Sequence, residues 1–293
     1  PRLISVIPVA VAKAAMNSGV ARKNISDLEL YKDQLTNRLD PTMSLMQGIN
    51  AKVRKNPKRV IFAEGEDENM LKAAIEFGRN KLGTPILIGA EKRIKEQLKN
   101  IGLDENYKIT IVNSTDKEKR DKYVKHLYKK LQREGLLERD VDRLVRNERI
   151  AWGASMIACK DADAMVTGNI RHYAASIEKL KKVTDPRPGE EIFGMTMITL
   201  KGKTILVADT NVQDFPSPNR LVKVSKSCVR VARLFGFDPK VAFLSHSTFG
   251  KPISKNTKHV RDAIEILKKE KVDFDFDGEM QPDVALNPIY QEI

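Results

Sequence analysis

The sequence has few aromatic residues and few of the side chains that bind metals. Phenylalanine, tyrosine and tryptophan together make up 6% of its 293 residues, which argues against the stacking surfaces that single-stranded nucleic acids require. The two cysteines are far apart and lack metal-ligand spacing, so we expect structural thiols in a reducing compartment; they are Cys159 and Cys228. Paired spacing is also absent from the four histidines, and no metal site is expected; they are His126, His172, His246 and His259.

Long apolar runs and nucleotide fingerprints are also missing. The stretch Leu3–Ala12 is interrupted by Pro8 and is too short to span a bilayer. Neither a Gly-x-Gly-x-x-Gly motif nor a P-loop occurs, so nothing indicates a dinucleotide or a nucleoside triphosphate. Because the sequence opens on Pro1-Arg2 and not on methionine, we expect it to be a fragment of a longer protein.

The charge balance is strongly basic. Lysine and arginine total 52 against 39 acidic residues, a formal net charge of +13 spread along the whole chain. A balance of this kind favours anionic partners, either a phosphate-bearing ligand or a nucleic acid. A lysine-rich solvated surface explains the same numbers.

Short apolar runs alternate with helical patterns through most of the sequence. The runs at 59–63, 85–89 and 109–112 predict strands, and the segments at 69–82 and 92–101 predict the helices between them. The run 164–168 predicts a further buried strand after a long helical stretch, 117–159. Such alternation predicts βαβ units, and hence an α/β fold with a mainly parallel sheet and helices on both faces.

The last third adds a hairpin and more strand–helix units. The runs 193–200 and 204–208 predict a β-hairpin. Ser217-Pro218 predicts a helix start, with the serine as N-cap and the proline in the first turn. The run 241–244 and the alternating segment 273–279 predict strands on either side of a helix that begins at Thr257.

Three strand-end loops are the candidate ligand site. Ligands of open α/β sheets bind at the carboxyl ends of strands, where helix N-termini favour phosphate. The loops are Thr167-Gly168-Asn169, Ser245–Gly250 and Asp277-Gly278-Glu279. Serine, threonine and glycine are common at such places in most α/β folds, so the residue types alone are a weak indication.

The same loops resemble the phosphate acetyl/butyryltransferase family, from about Val60 to the end of the sequence. Four stretches carry the resemblance: 166–168 (Val-Thr-Gly), 207–210 (Val-Ala-Asp-Thr), 241–250 (Val-Ala-Phe-Leu-Ser-His-Ser-Thr-Phe-Gly) and 277–286 (Asp-Gly-Glu-Met-Gln-Pro-Asp-Val-Ala-Leu). The resemblance implies a phosphotransacetylase-like sheet with the layering of isocitrate and isopropylmalate dehydrogenases, preceded by an N-terminal helical segment.

Residues 1–22 resemble the closing helix of a malic-enzyme catalytic region, and that order of parts is similar to the large bacterial NADP-dependent malic enzymes. The resemblance implies three parts: a malic-enzyme tail at 1–22, a linker helix at 23–48 and a phosphotransacetylase-like domain at 49–293, truncated at its C-terminus.

The resemblance also implies a ligand and its contacts. Acetyl-CoA or a related CoA thioester is expected on the loops, with Arg171 and Lys251 facing CoA phosphates, although both could equally be solvated surface cations. The expected ligand-binding residues are Thr167, Gly168, Asn169, Arg171, Ser245, Ser247, Thr248, Gly250, Lys251, Asp277 and Glu279. No metal ligand and no catalytic residue is expected in this segment.

Two arginines of active phosphotransacetylases have no counterpart in an ungapped alignment. Glu178 falls where one of them holds the acyl phosphate, and Leu131 falls near the other; a shift of one or two positions would place Arg133 or Lys130 there. A cation about 4 Å from a phosphate oxygen is worth on the order of 4 kcal/mol, so the loss disfavours transfer, and Glu178 would repel phosphate unless it turns to solvent. The family's Ser-Arg-Gly motif is expected beyond Ile293.

Together these points favour a regulatory function. The segment is expected to bind acetyl-CoA as an allosteric effector of a cytoplasmic, homo-oligomeric malic enzyme, whose NADP and divalent metal (Mg or Mn) lie in other segments. An active phosphate acetyltransferase is the alternative, and a nucleic-acid-binding protein is a remote one. No membrane association is expected.

Overall fold

The computed structural model describes residues 2–25, 27–28, 31–32, 35, 41–104, 108–200, 203–209, 212–213, 215–251 and 257–291. The chain divides into two compact units. We call Gly48–Asp185 the middle unit, and Pro1–Gln47 together with Pro186–Ile293 the outer unit. Within the described residues, no helix combines the length and apolar character needed to cross a bilayer.

The middle unit is built on a four-stranded parallel sheet. Its strands are β1 (Lys58–Phe62), β2 (Gly83–Ile88), β3 (Thr110–Val112) and β4 (Ala164–Val166), in the order β3-β2-β1-β4. Every neighbouring pair is parallel, with Phe62 opposite both Leu87 and Val166. The predicted parallel α/β architecture is therefore confirmed. The run at 164–168 was expected to be a buried strand, which is wrong: β4 is an edge strand, and the Val166 side chain is exposed.

Helices cover both faces of this sheet. Ile61 and Phe62 are consecutive in β1 and therefore point to opposite faces, and each lies in a separate hydrophobic cluster. One cluster is completed by α3 (Glu68–Arg79) and α4 (Glu91–Asn100). The other contains residues of α5 (Lys117–Leu131), α6 (Glu138–Asn147) and α7 (Arg149–Ala158), with a 3₁₀ turn at Gln132–Glu134.

The predicted long helical stretch 117–159 is thus three helices. Gly135 in the left-handed region (φ +87) ends the 3₁₀ turn, and Glu148 in an extended conformation separates α6 from α7. Helix α7 is apolar on all sides, and Trp152 and Met156 belong to the core, as expected. Helix α8 (Tyr173–Val183) follows β4.

The outer unit contains a hairpin and a parallel strand pair. The hairpin is confirmed as β5 (Met195–Leu200) and β6 (Lys203–Ala208), and β7 (Val241–Leu244) pairs in parallel with β8 (Phe276–Met280). Helix α9 (Pro218–Leu234) begins as predicted, because Ser217 Oγ accepts from the Arg220 backbone N–H. Helices α9 and α10 (Lys258–Glu270) supply much of the hydrophobic cluster against β7 and β8.

The remaining helices lie towards the two ends of the chain. They are α1 (Arg2–Asn17), α2 (Pro41–Lys55), α11 (Pro282–Leu286) and α12 (Pro288–Gln291). The N-terminal helical segment is therefore present as α1. Most of the predicted linker helix before α2 falls outside the described residues, and the three-part division at residues 22 and 48 stays a prediction.

Candidate functional site

The corner after β4 is held by a buried glutamate. Glu64 follows β1, the strand beside β4, and its side chain is only 2% exposed. Its Oε1 accepts hydrogen bonds from Thr167 Oγ1 at 2.8 Å and from the Gly168 backbone N–H at 3.1 Å. Among the residues that the structure describes, the buried Glu64 Oε2 has no hydrogen-bond partner. Because one buried carboxyl oxygen accepts from both a side chain and a backbone N–H of the corner, Glu64 fixes the conformation of this predicted ligand loop.

Asn169, the third residue of the corner, is tied to the start of α3. Its Nδ2 donates to Asp67 Oδ1 at 2.7 Å, and the same carboxylate oxygen accepts from the Met70 backbone N–H as the N-cap of α3. One carboxylate therefore joins the β4 corner to the helix that follows β1. The corner is therefore held in place by hydrogen bonds to Glu64 and Asp67.

Arg171, the predicted phosphate contact, is paired with an acid in this structure. Its Nη1 lies 2.8 Å from Glu148 Oε2, and Lys179 Nζ lies 2.7 Å from the other oxygen, Oε1. Burial alone would raise the pKa of Glu148, but the hydrogen bonds from Lys179 and Arg171 outweigh it and hold that pKa below its usual value. The Arg171 charge is therefore neutralised within the protein.

Glu66 is a second carboxylate in the middle unit that pairs with two arginines. Glu66 Oε2 lies 2.9 Å from Arg149 Nη2 and 3.3 Å from Arg93 Nη1, and Glu66 Oε1 accepts from the Ala90 backbone N–H. Burial works against ionisation of Glu66, but the hydrogen bonds from Ala90 and Arg149 prevail and lower its pKa. The carboxyl end of this sheet thus carries arginines whose charges are balanced by Glu66 and Glu148.

The loop Ser245–Lys251 in the outer unit is tied closely to the end of β8. Ser245 N–H donates to the Met280 carbonyl at 2.9 Å, and Phe249 N–H donates to the Glu279 carbonyl at 2.8 Å. Gln281 closes the set, since its side-chain amide donates to the His246 carbonyl at 2.9 Å. The two predicted loops of this unit therefore form one hydrogen-bonded structure.

Glu279 is the centre of that structure and is completely buried. Its Oε1 accepts from the Gly250 backbone N–H and from Arg261 Nη1, both at 3.0 Å. Its Oε2 is buried and has no hydrogen-bond partner in the described part of the chain. The sequence predicted a ligand-binding role for Glu279. In the structure, the Glu279 side chain holds Gly250 in place through this hydrogen bond.

The hydroxyl groups of the loop differ in their access to solvent. Ser247 is buried, with its Oγ 3.3 Å from the Oγ of the partly exposed Ser245. Thr248 is partly exposed, and its Oγ1 accepts from the Gln281 N–H at 3.3 Å. Lys251 is exposed and bridges back to Thr248 through the backbone. Ser245, Thr248, Gly250 and Lys251 are therefore the predicted residues of this loop that are at least partly exposed to solvent.

The remaining predicted residues lie on β8 beside β7. Asp277 is exposed, and its Oδ1 accepts from its neighbour's N–H, that of Gly278. Gly278 has φ +142, and a Cβ at this position would lie 2.6 Å from the Phe243 carbonyl oxygen. Only glycine fits there, which explains the glycine of the Asp-Gly-Glu stretch by packing.

Sequence reasoning missed the supporting acids. Glu64 and Glu148 were not selected, and neither was Asp209, which follows β6 with φ +55 and pairs with Arg220 at 3.4 Å. Arg220 also donates to Glu191 Oε2 at 2.8 Å. Asp209 lies inside the Val-Ala-Asp-Thr stretch that carries the family resemblance, so that motif was the one available signal for it.

The two positions aligned with family arginines do not face a ligand. Leu131 is 1% exposed in the hydrophobic core, so an arginine side chain could not be accommodated there without a partner. Glu178 has a side chain that is 70% exposed, and it pairs with Lys182 on the same helix face. Glu178 therefore turns to solvent, the arrangement in which it would not repel a bound phosphate. Of the shifted positions, Lys130 pairs with Asp185, and Arg133 is exposed.

Across the described part of the chain, no three His, Cys, Asp or Glu residues are grouped to hold a metal ion. Both cysteines are free thiols.

Comparison with known proteins identifies a family and a solved structure that this chain resembles. The sequence model described as phosphate acetyl/butaryl transferase matches residues 44–292. A phosphotransacetylase from Streptococcus pyogenes has the same fold, with a TM-score of 0.74 and 26% identity over 85% of this chain and 76% of that one.

Relatives that match nearly the whole chain have a different name. The NADP-dependent malic enzyme of Rhizobium meliloti (strain 1021) is 45% identical over 288 residues, which is 98% of this chain and 38% of that protein. The probable NADP-dependent malic enzyme of Rickettsia prowazekii (strain Madrid E) is 38% identical over 98% of this chain and 39% of its own length. The chain thus spans little more than a third of these curated relatives, and it belongs to the phosphate acetyl/butaryl transferase family.

Proposed function

We propose that this chain is the phosphotransacetylase-like region of a malic enzyme, and that it binds acetyl-CoA or a related CoA thioester as an allosteric effector. The observation that carries the proposal is the 45% identity to an NADP-dependent malic enzyme over 98% of the chain. At 98% coverage, the match to the malic enzyme takes in most of residues 1–43, which precede the transferase family match.

The strand-end loops support the binding part of the proposal. Thr167, Gly168 and Asn169 are fixed by Glu64 and Asp67, and Ser245–Gly250 are fixed by Glu279 and Gln281. Preorganised loops bind with a smaller loss of conformational entropy. The partly exposed hydroxyls of Ser245 and Thr248, with Lys251 beside them, are of the kind that contacts phosphate or pantetheine.

The regulatory part of the proposal rests on the residues that transfer would require. Neither Glu178 nor Leu131 can supply a cation to an acyl phosphate, because one is acidic and exposed and the other lies in the core. We assign oxidative decarboxylation of malate, with its NADP and divalent metal (Mg or Mn), to segments outside these residues. A coupling of 1–3 kcal/mol between the two sites is typical of allosteric proteins.

Assembly and location complete the proposal. We expect the chain to mediate homo-oligomer formation and to act in the cytoplasm, a reducing compartment that suits two free thiols.

Calorimetric titration with acetyl-CoA tests the binding part. Saturable heat at submillimolar ligand is the expected result, and the absence of heat at millimolar ligand would contradict the proposal. Acetate and adenosine, tested separately, serve as controls for contacts that do not need the intact thioester.

An active phosphate acetyltransferase is the second candidate, because a solved phosphotransacetylase shares the fold at 26% identity. A coupled assay with CoA and acetyl phosphate distinguishes the two. The regulatory proposal predicts no turnover above the buffer blank, whereas robust turnover would establish the transferase. A nucleic-acid binder, suggested by the charge of +13, predicts DNA retention that falls steeply with salt.

A further inference from the structure

Glu148 holds two cations at once. Its Oε2 lies 2.8 Å from Arg171 Nη1 and its Oε1 lies 2.7 Å from Lys179 Nζ. All three side chains are only partly exposed, at 24% for the glutamate, 34% for the arginine and 29% for the lysine. Both carboxylate oxygens are therefore used, and each cation has an anion in contact.

The glutamate is rigidly placed, and its partners are long side chains. Glu148 is the N-cap of α7: its N–H donates to the Leu144 carbonyl, and its carbonyl accepts from the Trp152 N–H, each at 3.0 Å. Val145 and Trp152, on either side, are core residues with 1% exposure or less. Arg171 lies in the bend between β4 and α8, outside any helix or strand.

The position of Arg171 gives this pairing a functional consequence. Arg171 follows the Thr167-Gly168-Asn169 corner at the carboxyl end of β4, where open α/β sheets bind ligands. A phosphate that contacts Arg171 has to compete with a carboxylate already 2.8 Å away. Hydrogen bonds from the two cations keep the pKa of Glu148 low despite its burial, so the competitor is ionised at neutral pH.

We infer that Glu148 is an internal counter-anion that sets the affinity of this corner for anionic ligands, by competing with ligand phosphate for Arg171 and Lys179. The inference rests on the proposed binding of a CoA thioester, and it identifies Glu148 as a residue that weakens that binding. Removing the charge of Glu148 should therefore strengthen binding, the opposite of what removing a structural or contact residue would do.

The test is a calorimetric titration of acetyl-CoA into the wild-type chain and into Glu148→Gln, with Glu178→Gln as the matched control. Glu178 is a glutamate within α8, but its side chain is exposed and pairs with Lys182 on the same helix. Glu148→Gln should bind about fivefold more tightly at low salt, the strength of one partly exposed ion pair. The gain should shrink with added salt, and Glu178→Gln should remain within about twofold of wild type.

A second substitution identifies the cation responsible. Adding Arg171→Met to Glu148→Gln should abolish the gain in affinity, because the freed guanidinium is then absent. If Glu148→Gln fails to fold, Lys179→Gln serves instead, with Lys182→Gln on the same helix as its control. Without Lys179, the Glu148 carboxylate pairs with Arg171 alone and competes more strongly with ligand phosphate for it. Acetyl-CoA should therefore bind about fivefold more weakly to Lys179→Gln, whereas its affinity for Lys182→Gln should not change.

The outcomes separate this inference from the proposed function. Equal or weaker binding by Glu148→Gln, in a variant that unfolds at the wild-type temperature, would overturn the inference while wild-type binding still supported the proposed function. If neither protein binds acetyl-CoA, both ideas fail. Binding by Glu148→Gln alone would support the inference and show that Glu148 suppresses binding in the wild type.

Discussion

At the scale of single residues, buried carboxylates organise the loops that were predicted to bind a ligand. Glu64 and Glu279 lie at the ends of strands in different units, yet each uses one oxygen to hold the backbone N–H of a glycine in a neighbouring loop. Burying a polar group is costly unless it is hydrogen-bonded, so a glutamate at such a place is justified by the loop that it orders. The bound glycines, Gly168 and Gly250, both have positive φ.

Replacing Glu279 should therefore destabilise the outer unit. Glu279→Ala removes the acceptor for Gly250 N–H and Arg261, and leaving a buried donor unsatisfied costs about 1–3 kcal/mol. Urea denaturation measures the loss. Glu265→Ala, which removes an exposed partner of Lys268, is the control and should change stability by less than about 0.5 kcal/mol. Equal losses of unfolding free energy in the two variants would show that the hydrogen bonds of Glu279 do not stabilise the outer unit.

The two thiols should be slow to react in the folded chain. Burial raises the pKa of Cys228 to about 11, with a smaller effect from the nearby Asp209, and burial also raises the pKa of Cys159. Because the thiolate is the reactive form, only about one Cys228 in a thousand is ionised at pH 8. Alkylation by iodoacetamide should proceed rapidly only after unfolding. Fast modification of Cys228 at pH 8 in the native chain would contradict this environment.

At the scale of secondary-structure elements, local signals predicted most of the fold. Ser217-Pro218 starts α9, the hairpin lies within one or two residues of its predicted ends, and Thr257 directly precedes α10. Each of these features depends on residues that are close in sequence. The break between α6 and α7 was missed, because Glu148 turns the chain without a proline or glycine to mark it.

Gly83 shows how packing overrides a local signal. It falls between the predicted helix 69–82 and the predicted strand 85–89, but it is the first residue of β2, opposite Lys58. A Cβ there would collide with the Lys58 carbonyl oxygen and would lie 2.8 Å from the Phe77 ring. The constraint comes from a neighbouring strand and a neighbouring helix, and no pattern within residues 69–83 could reveal it.

Gly83→Ala should consequently destabilise the middle unit by about 1–3 kcal/mol, the cost of overpacking a well-packed site. Gly48→Ala is the matched control, because Gly48 lies within α2 with open space where the Cβ would be. That control should be neutral or stabilising by about 0.5–1 kcal/mol, since alanine favours helices. Thermal unfolding of both variants measures the difference, and a neutral Gly83→Ala would be incompatible with this packing.

The site was less predictable than the fold, for a related reason. The loops were identified because strand ends are local features, but their supports come from far along the chain. Glu64 is 103 residues from Thr167, and Glu148 is 23 residues from Arg171. A single sequence contains no record of such contacts, so Ser247 and Glu279 were assigned to ligand binding although both are buried.

At the scale of the whole molecule, paired acids should make stability depend on pH. Burial would raise the pKa values of Glu66, Glu148 and Asp161, but hydrogen bonds outweigh it and lower all three. The donors are a backbone N–H and an arginine for Glu66, and a lysine and an arginine for Glu148. For Asp161 they are Lys122 and Tyr123. A lowered folded-state pKa means that the unfolded chain binds more protons, so this stability is fully present above the ordinary values of 4.5 and 3.8.

Stability should accordingly fall as pH drops through the lowered pKa values, with little change between pH 6 and 8. Urea midpoints measured from pH 7 down to pH 3 provide the test. Glu148→Gln should show a shallower loss than wild type, and Glu178→Gln, at a position fully outside these pairs, should follow the wild-type curve. A wild-type midpoint that stays constant down to pH 3 would contradict these pairings.

The chain as a whole combines a transferase fold with the sequence of a malic-enzyme segment. It matches the phosphate acetyl/butaryl transferase family over residues 44–292, and it matches malic enzymes over 98% of its length. The central claim is that a CoA thioester binds at its strand-end loops.

Backbone hydrogen exchange with and without saturating acetyl-CoA tests that claim most directly, because it reports both binding and place. We predict slower exchange at Thr167–Arg171 and Ser245–Lys251 when the ligand is present, with unchanged exchange in helix α5. Identical exchange at both loops with and without acetyl-CoA, or protection confined to other segments, would contradict the account.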